Sequence, residues 1–160
     1  MTRFPCFKSV FFLCMLATAP AFAQKPDATS PTLLPWSQQI AIREGWLAQR
    51  HAALLPMMRT HGIAMWIVAT EEFHEDPLAA HVAPPRPYVG NRDFFVFVDA
   101  GDAGLKRIAV TGYTEESLTA FFEAGEPGPA DVRLKQLVDH YTPKTIGLSI
   151  GGTRGMTRSL

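Results

Sequence analysis

The chain has 160 residues, fifteen Lys and Arg balanced by fifteen Asp and Glu, and two cysteines, Cys6 and Cys14. Balanced charge leaves no electrostatic footprint for nucleic acid or an anionic lipid surface. Two cysteines close to the N-terminus supply neither a disulfide framework nor a Cys-rich metal site.

The opening "MTRFPCFK" carries Arg3 and Lys8 and no acid. The apolar core "SVFFLCMLATAP" is too short to span a bilayer, and Ala21-Phe22-Ala23 fits a small-x-small cleavage site. Residues 1–23 are therefore expected to be a secretory signal peptide, cleaved between Ala23 and Gln24. Both cysteines, Arg3 and Lys8 leave with it, so the remainder carries two more acids than bases. The reading implies an exported protein, periplasmic or secreted, with no membrane attachment after cleavage. Residues 24–36, rich in Pro, Ser and Thr, form a flexible leader. The rest of the chain is large enough for one self-sufficient core.

Ser37 is expected to cap a helix that Gly62 stops, with Ile40, Leu47, Leu54, Leu55 and Met58 near helical spacing. Pro56 lacks the amide hydrogen needed in a helix interior, so a kink or restart is expected there. "IAMWIVA" (63–69) is a continuous apolar run, the signature of a strand covered on both faces. Residues 70–92 form a long connection with four prolines, a length usual in loops that are either functional or disordered. "DFFVFVD" (93–99) and "LKRIAVTGY" (105–113) read as a hairpin around the turn "GDAG". A short helix is expected over 115–124 and a second over 130–141, where Leu134, Leu137, Val138 and Tyr141 share one face. Pro143 ends that helix, and "TIGLSI" (145–150) is the next strand. Helices alternating with strands around one hairpin give an α/β fold, a mixed β-sheet flanked by helices.

No catalytic constellation emerges. In "HEDPLAAH", His74, Glu75, Asp76 and His81 lie on no common helical face, because Pro77 interrupts them, and no metal site is expected there. No G-x-S-x-G elbow is present. "GGTRG" (151–155) lacks the Lys and the helix of a phosphate cradle. Arg86, Tyr88 and Arg92 are the substrate-contact candidates, since Arg pairs with carboxylates and Tyr is an amphipathic contact residue. Trp66 is read as core, and Trp36 and Trp46 as helix-packing residues.

The order of these segments resembles the N-terminal domain shared by creatinase, prolidase and aminopeptidase P. "IREGWLAQRHAALLPMMRTHGIAMWIVAT" is similar to the family's leading helix and first strand, on Arg43, Arg50, Leu54, Met58, Gly62 and Ile63. "YVGNRDFFVFVD" (88–99), "IAVTGYTEES" (108–117) and "YTPKTIGLSI" (141–150) resemble later segments of that domain, in the same order.

The resemblance implies a ribonuclease-H-like domain over residues 37–150, with residues 151–160 starting a linker. It also implies that catalysis belongs to a C-terminal pita-bread domain missing from this chain. There a dinuclear metal site, often manganese, would supply the hydroxide that attacks the bond before proline. On this reading the chain is a truncated or fragmentary piece of an exported Xaa-Pro aminopeptidase-like metallopeptidase. It holds no catalytic or metal-binding residue or cofactor, gates substrate and supports homo-oligomers, with proline-containing peptides as substrates. A stand-alone binding module with its ligand at 70–92 is the alternative, and a nonfunctional remnant a third reading.

Overall fold

A computed structural model describes residues 32–71, 76–85, 92–112, 116–124 and 128–148. It is a mixed α/β fold, as the alternation of segments implies. Helix α1 (Trp36–Thr60) leads into strand β1 (Met65–Thr70), a one-turn helix α2 (Ala79–Val82) and strand β2 (Asp93–Asp99). Strand β3 (Leu105–Val110), the turn α3 (Glu116–Thr119), the short strand β4 (Glu123–Ala124), helix α4 (Ala130–Tyr141) and strand β5 (Ile146–Leu148) complete the order.

The sheet order is β4-β3-β2-β1-β5. β2 pairs antiparallel with both β1 and β3, whereas β5 is parallel to β1 and β4 parallel to β3. Among the described strands, therefore, only β2 runs against the others. Alternate residues along each strand face opposite layers. Val68, Phe95, Phe97 and Ala109 pack with Leu54 and Met58 of α1, Val82 of α2, and Leu118 and Phe122. Met65, Ile67, Phe94, Val96, Ile108 and Val110 pack with Leu134 of α4, flanked by Leu137, Val138 and Tyr141. Each buried side chain of this size stabilises the fold by about 1.5–3 kcal/mol relative to leaving it in water.

Several boundaries differ from the sequence reading, for local reasons. Pro35, not Ser37, stands at the start of α1: its φ of −50° is already close to helical, and its carbonyl accepts the first bonds from the Gln38 and Gln39 amides. Pro56 causes no restart, and α1 runs continuously through it. Pro56 is exposed, while Leu54 and Met58 on either side are buried and anchor the helix to the sheet. α1 ends as expected at Gly62, whose φ is +65°. The Ile63 amide donates to the Met58 carbonyl at 2.8 Å and the Gly62 amide to Arg59 at 3.2 Å. That pair closes the helix end, and the left-handed residue it needs is most easily a glycine. Arg59 then clamps the β2–β3 turn, donating to both Asp99 carboxylate oxygens at 2.8 Å and to the Gly101 carbonyl at 2.9 Å. This pairing holds the Asp99 carboxyl below its usual range and raises Arg59.

The helix expected over 115–124 is one turn only. Burial of Phe122 against Phe95 and Phe97 takes the chain off the helical path, and residues 123 and 124 extend to pair with Ile108 and Ala109. Strand β1 covers 65–70 where 63–69 was expected, and β3 ends at Val110, before Thr111 and Gly112. The long connection contains α2. Trp66 half-buries its ring, stacked on Phe97 at 5.3 Å. Trp36 and Trp46, by contrast, are 72% and 53% exposed, so neither is a packing residue of this domain. α1 buries side chains only from Leu47 onward.

Candidate functional site

The carboxyl ends of β1 and β3 and the start of antiparallel β2 lie together at one end of the sheet. In open α/β sheets ligands bind outside the carboxyl ends of strands, where the chain departs to opposite sides. Here β1 connects to β2 on one side and pairs with β5 on the other. Thr70 lies opposite Asp93 in the ladder, which sets Glu71 and Arg92 at the mouth of the long connection. Arg92 Nη2 donates to Glu71 Oε2 at 3.2 Å, with both side chains about one-third exposed (31% and 38%). The Arg92 Nε is buried and meets no acceptor. With its side chain 31% exposed, Arg92 can also pair with a carboxylate, the chemistry a guanidinium offers at this position.

Below the mouth the polar groups are buried. Thr70, Asp93, Thr111 and Arg133 are all under one-tenth exposed. The Gly112 amide donates to Asp93 Oδ1 at 3.4 Å, and Arg133 donates from Nη1 to the Thr111 carbonyl at 3.0 Å and from Nη2 to Ala109 at 3.4 Å. Arg133 thus ties the first turns of α4 to the end of β3. Asp76, 2% exposed, accepts the Leu78 amide on Oδ1 at 2.9 Å, and its Oδ2 is buried without a partner. Its role is to start the turn into α2, the local habit of an aspartate two residues before an amide.

A second polar contact lies on the α1 side of the sheet. His51 is buried in the stripe Leu47, His51, Leu54, Met58 and bonds the Val82 carbonyl and Arg107. Burial lowers its pKa, opposed by the Val82 bond, with the Arg107 charge lowering it further.

Of the sequence candidates, Arg92 stands at the mouth of the sheet end. Arg86, Tyr88, His74 and Glu75 lie outside the described residues, as does "GGTRG". His81 is exposed on α2, and Asp76 is buried. Among the described residues no three His, Cys, Asp or Glu side chains come together to hold a metal, and no helix is long and apolar enough to cross a membrane. Sequence reasoning missed His51, Arg107, Arg133, Asp93 and Thr111. A signal existed for two: His51 interrupts the apolar stripe of α1, and Arg133 shares a helical face with Leu134 and Leu137.

The chain matches no protein-family model, no curated protein and no solved structure.

Proposed function

We propose that this chain is the non-catalytic N-terminal domain of an exported Xaa-Pro aminopeptidase-like metallopeptidase, of ribonuclease-H-like fold, gating substrate and supporting assembly. The single observation that carries the reading is the strand layout. A leading helix enters a three-strand antiparallel meander, β1 to β3, and after an intervening helix β5 returns parallel beside β1. A mixed sheet flanked by helices is the class of fold that the reading calls for, and it results from long-range pairings that composition does not impose.

In this reading the mouth at Glu71 and Arg92 faces the peptide, and Arg92 offers its guanidinium to a substrate carboxylate. Ile42, Trp46 and Met57 on α1, all more than one-third exposed, supply apolar surface for a neighbouring domain or subunit. The dinuclear metal site would belong to the C-terminal pita-bread domain. The described residues offer no ligand set that fits such a pair, and no step of the reaction is assigned to them. Incubated alone with an Xaa-Pro peptide and Mn²⁺, the 160-residue chain is expected to release no N-terminal residue. Turnover abolished by a chelator would overturn the non-catalytic assignment.

A further inference from the structure

We propose that His51, Arg107 and the Val82 carbonyl form a proton-operated latch, in which protonation of His51 releases Arg107 of β3 while α1 keeps its hold on α2. The geometry fixes the tautomer. A carbonyl oxygen can only accept and a guanidinium can only donate. The His51 Nε2–H therefore donates to the Val82 carbonyl at 2.8 Å, and the bare Nδ1 accepts from Arg107 Nη1 at 3.3 Å. The neutral ring satisfies both neighbours at once. In the imidazolium, Nδ1 carries a hydrogen that points at the guanidinium hydrogens, donor against donor and positive against positive. The Nε2 bond survives and strengthens, so the contact that breaks is the one to Arg107.

Among the described residues the surroundings offer the imidazolium no other partner. Phe97 of β2, and Phe121 and Phe122 after α3, present rings to His51 at centroid distances of 5.4 to 6.0 Å. α2 contributes the Val82 carbonyl, and next to it Arg50 donates to the His81 carbonyl at 3.4 Å. The charged group facing the ring is Arg107, and no carboxylate among the described residues bonds it or Arg107. On the same strand, Lys106 is held by Glu123 at 2.9 Å, so that acid is already engaged. Arg107 is half-buried, and its described side-chain hydrogen bond is the one to His51. Freed, its guanidinium turns to solvent near the β3–β4 edge, where it is open to an anion.

The same geometry sets the direction with pH. Burial first, then the Arg107 charge, lowers the His51 pKa below the usual 6.5, against the Val82 bond. Between the native and unfolded values the unfolded chain binds more protons, so stability rises with pH across that window. The contribution of neutral His51 is complete above 6.5 and declines as pH falls towards the native value, where the latch opens.

The test is an NMR titration of the isotope-labelled full chain from neutral to mildly acidic pH, monitoring the His51 ring nitrogens and the Arg107 guanidinium. Expected are one shared midpoint for both residues, below 6.5, and faster solvent exchange of the Arg107 hydrogens on the acid side. Arg107→Gln, which keeps a donor and removes the charge, is expected to raise the His51 midpoint. The latch is refuted if Arg107 is unmoved through His51 protonation, or if the chain unfolds before His51 takes a proton. It is equally refuted if Arg107→Gln leaves the His51 midpoint unchanged or lowered. Should that variant not fold, the unsubstituted titration alone decides.

Discussion

At the scale of single residues, two buried polar side chains organise this domain from opposite faces of the sheet. Arg133 links α4 to the end of β3 through the Thr111 and Ala109 carbonyls, and His51 links α1 to α2 and β3. Arg133→Met keeps most of the apolar stem and removes charge-assisted bonds, leaving buried carbonyls without their donor. Such bonds contribute about 1.5–3 kcal/mol each, so Arg133→Met is expected to lower stability by roughly 2–4 kcal/mol, read from the urea midpoint. A loss under about 0.5 kcal/mol, the range of ordinary surface substitutions, would mean that Arg133 is not structural. Both residues were legible as oddities, a cation and an imidazole set in apolar helical stripes. Their partners were not, because Thr111, Ala109, Val82 and Arg107 are brought to them by strand register and by a turn 31 residues away in sequence.

The elements divide by how local their causes are. β2 and α4 have the bounds their sequences suggest, 93–99 and 130–141, because a run of Phe and Val and an amphipathic stripe carry their own instructions. The end of α1 at Gly62 is equally local. β4 was illegible, since a two-residue strand exists only through its pairing with Ile108 and Ala109. The tryptophans misled for a related reason: Trp36 and Trp46 sit where a helix surface would be covered, but α1 packs on the sheet only from Leu47 onward. Pro56 shows tertiary packing overriding propensity, since the helix on both sides is anchored by Leu54 and Met58. Pro56→Ala restores an intrahelical donor and is expected to stabilise the fold, by at most about 3 kcal/mol. An unmoved or lowered thermal midpoint would mean that α1 is built around the proline ring.

For the whole molecule, the α/β class was legible from the alternation of segments, while the sheet order required the structure. Composition has no bearing on whether β5 lies beside β1 or beyond β3, and that placement is what supports the functional reading. The site was less legible. Arg92 emerged because it borders a long loop, but its pairing with Glu71 depends on Thr70 and Asp93 being opposed in the ladder. The exposed apolar residues of α1 belong to this scale too, since they gain a purpose only if another domain or subunit covers them.

The central claim is that this domain works as part of a larger peptidase. It is tested most directly by capturing the native product with an antibody to residues 93–112 and measuring its intact mass. The account predicts a mass well above the 17.6 kDa of this chain and Mn²⁺-dependent release of the residue before proline by the captured material. A product no heavier than this chain would contradict it, and the domain would then act alone.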